Sequence, residues 1–195
     1  KDGSIVAIGA EVRNSGVYVK VYQYDANVDG SWKQLGTKIS GATTSFGTGV
    51  RLSDDGTVLM VSDSLDDTAG TDNGAIYIFK YTNGDWAQQG STLYGQYTGS
   101  QLGFKHNNTM AISGDGSKIV AGGCLADVNN TDSGYVQAWQ WSQKAYTKPL
   151  VDASNQTMTI WGGAEHVAAN YSVTKLGVDI DEYNNNGAGT GERSN

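Results

Sequence analysis

Oxygen-bearing side chains alternate in residues 25–30, DANVDG, where Asp25, Asn27 and Asp29 precede a glycine. This spacing opens the calcium loops of proteins, because alternate oxygens converge on one cation while the glycine allows a sharp turn. Such loops supply a bidentate acid at the twelfth position, but Gly36 stands there. Two interpretations stay open: a solvated strand connection, and a calcium site formed by Asp25, Asn27 and Asp29. No other cofactor is predicted.

Residues of catalytic type lack the spacing of a known catalytic centre. His106 and His166 have no H-E-x-x-H or C-x-x-C context, so neither is predicted to bind zinc. Cys124 follows Ala-Gly-Gly, which is typical of a small buried residue. The acids of residues 179–182, DIDE, alternate as on the solvated face of a strand. The sequence therefore predicts no catalytic residues and a protein that is not an enzyme.

Four N-x-[ST] sequons offer acceptors for N-linked glycans. They begin at Asn107, Asn129, Asn155 and Asn170. If the protein passes through a secretory pathway, we expect some of them to be glycosylated, and otherwise they are surface amides.

Aromatic side chains recur near strand ends and could stack on sugar rings or fill the space between sheets. Packing between sheets is the favoured interpretation, because aromatic rings bury large surfaces. The side chains concerned are Tyr22, Tyr24, Phe79, Tyr81, Trp139 and Trp141.

Composition and charge narrow the classes of partner. The 195 residues carry a net charge of -7, which repels a phosphate backbone and argues against nucleic acid. The 27 glycines, single proline and 19 aromatic residues favour turn-rich all-β structure over a disordered linker. No apolar stretch approaches the roughly 18 residues of a membrane span.

A period of about sixty residues organises the chain. An Asp-Gly pair followed by an apolar run occurs at Asp2, Asp55 and Asp115. Each run precedes a glycine-led strand with an aromatic finish: GVYVKVYQY from Gly16, GAIYIFKY from Gly74 and GYVQAWQW from Gly134. We expect the approximate units 1–44, 45–99 and 100–183, followed by a flexible Asn- and Gly-rich tail, 184–195.

Each unit is predicted to be a four-stranded antiparallel meander. An Asp-Gly pair between apolar runs favours a tight hairpin, because glycine adopts the positive φ that the turn requires. The strands IYIF and TVLMV are apolar on both faces, which predicts sheets covered on both sides. The polar loops 62–73 and 124–133 are candidate recognition loops, since repeat proteins carry function on such insertions.

This order of motifs resembles the FG-GAP repeats of integrin α-chains and of large algal and protist repeat proteins, many secreted or on the cell surface. The resemblance covers residues 2 to about 150, with Phe46-Gly47 as the FG pair and residues 52–56, LSDDG, before the next strand. It implies β-propeller blades. The family's D-x-D-x-D-G calcium loop is replaced by Ser-Asp-Asp-Gly, which is too short to wrap a cation, so those sites do not carry over.

About three repeats fall short of the four or more blades of a closed propeller. We therefore expect the remaining blades to come from a longer propeller or from another chain. The function expected from the sequence is a structural or adhesive module of an extracellular or cell-surface assembly, which contacts protein subunits or glycans. A polysaccharide-acting enzyme on a propeller scaffold and an intracellular or organellar scaffold subunit are the alternatives.

Overall fold

The computed structural model describes residues 2–12, 16–28, 30–104, 109–128, 131–143, 171–175 and 180–181. These residues form three antiparallel sheets, and no helix occurs among them. The prediction of an all-β protein is confirmed. The predicted tail, 184–195, lies outside the described residues.

The first sheet contains strands β1 to β4. Strand β2 is central, because β1 pairs along one of its edges while β3 and β4 share the other. The bounds are β1 Ile5–Val12, β2 Gly16–Asp25, β3 Ser31–Gln34 and β4 Ile39–Ser40.

The second sheet is the meander β5-β6-β7-β8, in which β9 continues the outer strand beside β7. The bounds are β5 Phe46–Leu52, β6 Val58–Asp63, β7 Ala75–Thr82, β8 Asp85–Gln88 and β9 Leu93–Tyr94. Each of these two sheets contains a segment of the pattern W-x-Q-x-G, at residues 32–36 and 86–90. It interrupts the outer strand, since Gly36 and Gly90 adopt left-handed conformations.

The third sheet follows the order β10-β11-β12-β13, with β14 also paired to β12. The bounds are β10 Met110–Ile112, β11 Lys118–Gly123, β12 Tyr135–Gln143, β13 Tyr171–Lys175 and β14 Ile180–Asp181.

The second sheet is buried on both faces, as its apolar strands predicted. Leu59 and Val61 of β6 point to one face and contribute to the core that it shares with the first sheet. Met60 of β6 and Ile76 of β7 point to the other face, where the core is shared with the third sheet. All four side chains are fully buried, and each contributes about 1.5–3 kcal/mol by leaving water.

The two junctions between neighbouring sheets are built in the same way. An added Cβ at Gly56 would lie 2.5 Å from the side chain of Ile5, and one at Gly116 would lie 2.7 Å from that of Val58. Ile5 and Val58 each stand three residues after the Asp of their own Asp-Gly turn. At both junctions, the Asp-Gly turn of one sheet therefore packs on the residue that begins the strand after the Asp-Gly turn of the preceding sheet.

Candidate functional site

The segment predicted to bind calcium connects β2 to β3. The Asp25 carboxylate accepts hydrogen bonds from Lys33 Nζ at 2.6 Å and from the Asn27 amide at 3.0 Å. The Lys33 bond, followed by the Asn27 amide, lowers the pKa of Asp25. Asp29 lies outside the described residues. Two of the three predicted ligands are thus close together, the Asp25 carboxylate is neutralised by a lysine, and the calcium site stays a prediction.

The Asp-Gly turns use their carboxylates to hold the backbone. Asp55 accepts hydrogen bonds from the Ser53 hydroxyl at 2.6 Å and from the Thr57 amide at 3.0 Å. Asp115 makes the same bonds to the Ser113 hydroxyl and the Ser117 amide. These donors lower the pKa of both aspartates, the serine hydroxyl before the turn being the largest cause.

The first turn follows the same scheme, with one donor residue after the aspartate. Asp2 accepts hydrogen bonds from both the amide and the hydroxyl of Ser4, which lower its pKa. The three copies of the sequence motif therefore coincide with one local structure, which these carboxylates hold.

The described residues of the two predicted recognition loops, 62–73 and 124–133, make matching contacts. Asp67 accepts a hydrogen bond from the Asp72 amide at 2.7 Å, and Asp127 accepts one from the Asp132 amide at 2.7 Å. Asp72 and Asp132 share a left-handed backbone, with φ of 49° and 53°.

A leucine at matching positions, Leu65 and Leu125, is exposed on each of these loops. The loops are thus preformed and present an apolar side chain to solvent.

A buried polar cluster underlies the first of these loops. Asp63 accepts hydrogen bonds from the hydroxyls of Thr43 and Ser45. Asp66 accepts one from the Tyr77 hydroxyl at 3.0 Å. Burial, together with the neighbouring Asp66 charge, raises the pKa of Tyr77 well above its usual value, so its hydroxyl stays protonated as a donor.

This cluster is specific to the second sheet. Ala10 and Gly123 stand at the positions of the first and third sheets that correspond to Asp63. Asp63 Oδ2 is buried without a hydrogen-bond partner, but both oxygens of Asp66 accept from protein donors. The cluster therefore offers a cation a single carboxylate oxygen. Sequence reasoning missed it; the signal was an aspartate directly after an apolar strand.

The predicted aromatic positions divide by sheet. Phe79 and Trp139 are buried in the two junctions, which confirms packing as their role. The Tyr81 ring is tilted against that of Trp86, with centroids 5.3 Å apart, and Trp86 Nε1 donates to the Leu35 carbonyl of the first sheet at 2.8 Å. The side chain of Trp141 lies outside the described residues.

In the first sheet the corresponding aromatic pair is exposed to solvent. Tyr24 and Trp32 are cross-strand neighbours with ring centroids 5.4 Å apart, and Trp32 is 46% exposed. Tyr22 is half-buried on the same face. Trp32 was absent from the predicted set, because nothing in the sequence shows which face of a sheet lacks a neighbour.

The remaining predicted residues have little described structure. Cys124 is half-buried. The two histidines, the acids at positions 179, 181 and 182 and the four sequon asparagines either lie outside the described residues or have no described side chain: His106, His166, Asp179, Asp181, Glu182, Asn107, Asn129, Asn155 and Asn170. Within the described ranges, no group of three or more His, Cys, Asp and Glu side chains could hold a metal ion.

Comparison with known proteins finds no protein-family model and no curated protein that matches this chain. Among the residues whose structure is described, none forms a helix that is long and apolar enough to cross a membrane. The exposed aromatic face of the first sheet and the two preformed loops are the candidate interaction site.

Proposed function

We propose that this chain is a non-enzymatic β-propeller module, of the FG-GAP type that its motifs resemble, and that it serves as a structural or adhesive part of an extracellular or cell-surface assembly. Its three sheets act as blades, and its partners are protein subunits or glycans. The observation that carries the proposal is the repetition of one sheet-to-sheet junction.

The propeller part is supported by the order of these junctions. The second and third sheets each place their Asp-Gly turn on the sheet before them, and the Asp54 amide of one turn donates to the Gly114 carbonyl of the next at 2.8 Å. Sheets joined by one repeated operation form an array, and propellers are arrays of four-stranded sheets around an axis.

The adhesive part is supported by what the array leaves exposed. Tyr24 and Trp32 form an exposed pair of tilted aromatic rings, a residue type that is enriched in interfaces, and Leu65 and Leu125 are exposed on the two loops. Of the carboxylates described above, those at the surface hold turns, close loops or pair with Lys33, and those of Asp63 and Asp66 are buried, so the proposed role is contact and not chemistry.

Contact through the aromatic surface is tested with Trp32→Ala. Binding of the purified chain to an array of cell-surface polysaccharides, and to proteins cross-linked to it at its native surface, should fall at least about tenfold, because truncating a tryptophan hot spot costs about 2 kcal/mol or more. The matched control is Val28→Ala, since Val28 is also 46% exposed. Equal effects of both variants would contradict the proposal, and cleavage of a polysaccharide would favour an enzyme.

The compartment is tested by the mass of the natively purified protein before and after enzymatic removal of N-glycans. We expect a decrease that maps to peptides containing Asn107, Asn129, Asn155 or Asn170. An unchanged mass at all four sequons would argue for an intracellular scaffold.

A further inference from the structure

One face of the first sheet carries both aromatic rings and lysines, and we call it the front face. The opposite face, with Val19 and Val21 of β2, is buried in the core shared with the second sheet. Because successive residues of a strand point to opposite sides, the alternate residues of β2 lie on the front face, and Trp32 of β3 joins them as the cross-strand partner of Tyr24. The front face thus consists of Tyr18, Lys20, Tyr22, Tyr24 and Trp32.

Two lysines share one ring of this face. Lys20 Nζ lies 5.3 Å from the centroid of the Tyr18 ring. Lys38, the residue before β4, places its Nζ 5.8 Å from the same centroid. An aromatic ring attracts ammonium groups through its quadrupole, but it carries no net charge that would neutralise them. Two positive charges are therefore held on the front face beside the aromatic rings.

Neither lysine has a carboxylate partner among the residues that the structure describes. The ion pair of Lys33 with Asp25 belongs to the opposite face, since Lys33 alternates with Trp32 along β3. The chain as a whole carries 20 acidic side chains against 13 basic ones. Two lysines without acidic partners on one face therefore depart from the average charge of the chain and favour an anionic ligand at this face.

Lys20 also distinguishes the front face from the junctions between sheets. Its counterparts in the second and third sheets are the neutral side chains Tyr77 and Gln137, because all three lie opposite the sixth residue after the Asp of their turn. A lysine packed against an apolar sheet would lose its hydration without gaining a partner. Ile8, which lies opposite Lys20, is 51% exposed. The front face is therefore suited to an anionic ligand and not to another apolar sheet.

The spacing of the rings and the lysine favours a ligand that repeats. Side chains on one face of a strand recur about every 6.6–6.8 Å, so Lys20 stands between the rings of Tyr18 and Tyr22. A sugar ring can stack its carbon–hydrogen face on an aromatic ring, while a carboxylate or sulfate on a neighbouring sugar pairs with an ammonium group. Nucleic acid also combines rings with anions, but its dense phosphates would be repelled by a chain of net charge -7.

We propose that the front face binds an acidic polysaccharide. Its sugar rings stack on Tyr22, Tyr24 and Trp32, and its carboxylates or sulfates pair with Lys20 and the neighbouring Lys38. The inference rests on the proposed function, because it names the class of ligand that the exposed aromatic face receives.

The first test compares polysaccharides that differ in charge. Binding of the full chain is measured to dextran sulfate and dextran, and to polygalacturonate and its methyl ester. At least one acidic member should bind about tenfold or more tightly than its neutral counterpart. Its affinity should fall between about 50 mM and about 0.5 M salt, because salt screens exposed charges.

The second test removes the two charges. In the double variant Lys20→Gln, Lys38→Gln, affinity for the acidic polysaccharide should fall about tenfold, as two exposed ion pairs are lost. The variant Lys20→Arg, Lys38→Arg should bind like the wild type, since it keeps both charges. The matched control is Lys33→Gln, Lys118→Gln, which changes the net charge equally at exposed lysines off the front face and should stay within about twofold of the wild type.

Equal binding of acidic and neutral polysaccharides, no binding of either acidic one, or equal losses in the two glutamine variants would each overturn the inference. Polyglutamate that binds as tightly as the polysaccharides would overturn it in favour of an acidic peptide. The proposed function would still stand if Trp32→Ala loses a neutral glycan or a protein. Binding that needs the lysines but not Trp32 would overturn both, because the aromatic rings would then play no part.

Discussion

Aspartate carboxylates hold the turns at which each sheet meets its neighbour. Asp55 and Asp115 accept from a serine hydroxyl before the glycine and from a backbone amide after it. The turn is thus specified by five or six adjacent residues. It can be recognised in the sequence because every donor and acceptor is local.

Acid should weaken these turns in a defined pH window. The folded pKa of Asp55 and of Asp115 lies below the unfolded value of about 3.9, so the unfolded chain binds more protons as the pH falls. Their contribution to stability is complete above pH about 4 and is lost as the pH falls through the folded pKa.

The double variant Asp55→Asn, Asp115→Asn keeps an oxygen acceptor at each turn but removes the titration. Urea unfolding between pH 2 and 5 should show a smaller loss of stability on acidification than in the wild type. Parallel pH profiles of the two proteins would show that these carboxylates do not stabilise the fold.

Tyr77 supplies the hydrogen atom that satisfies the buried Asp66 carboxylate. Tyr77→Phe leaves Asp66 Oδ2 without its donor and should lower the free energy of unfolding by about 1–3 kcal/mol, measured by urea unfolding. The control Tyr24→Phe, on an exposed ring, should stay within about 0.5 kcal/mol of the wild type. Equal stability of both variants would mean that Asp66 does not need this partner.

Strands β1 and β5 approach so closely that only a glycine fits. An added Cβ at Gly9 would lie 1.8 Å from the Gly47 carbonyl oxygen, whereas one at Gly122, the corresponding position of β11, would meet nothing closer than 3.5 Å. Position, strand type and neighbouring turn are the same for the two glycines. They differ because β5 of the second sheet lies against Gly9, whereas no other described sheet lies against Gly122.

Gly9→Ala should therefore destabilise the chain by about 3 kcal/mol or more, at the upper end of overpacking costs, because the sheets must move apart. Gly122→Ala should stay within about 1 kcal/mol of the parent. Both are measured by urea unfolding. Similar effects of the two variants would refute the close approach of the first two sheets.

Part of this architecture could be predicted from the sequence. The strand over Ile76 to Phe79 and its burial on both faces are confirmed, because an unbroken apolar run has no face suited to water. The alignment of Gly16 with Gly74 is off by one in the strands: Val21 pairs with Ala7, and Ile78 with Met60, so β2 has an extra residue after its glycine.

The candidate site could be predicted only in part. The loop aspartates and the aromatic periodicity are visible in the sequence, but the exposure of Trp32 and the burial of Asp63 under Thr43 and Ser45 are not. Both depend on the order in which the sheets pack, and this order follows from contacts between residues distant in the sequence. Residues close together in the sequence determine each sheet, whereas the packing order of the sheets determines which side chains are exposed.

The three described sheets pack in a row in which one junction occurs twice, and cysteine pairs can probe both occurrences. The ideal Cβ of Gly56 lies 3.1 Å from Ile5 Cβ, and that of Gly116 lies 2.8 Å from Val58 Cβ, distances that a small shift brings to the roughly 3.8 Å of a disulfide. The pairs are Ile5→Cys with Gly56→Cys, and Val58→Cys with Gly116→Cys, both in a Cys124→Ser background.

Peptide mapping of these oxidised proteins by mass spectrometry is the most direct test of the repeated junction. We expect both pairs to form intramolecular disulfides under native conditions, and the mismatched pair Ile5→Cys with Gly116→Cys to form none. A disulfide in only one of the matched pairs, or equal cross-linking of the mismatched pair, would contradict the equivalence of the two junctions.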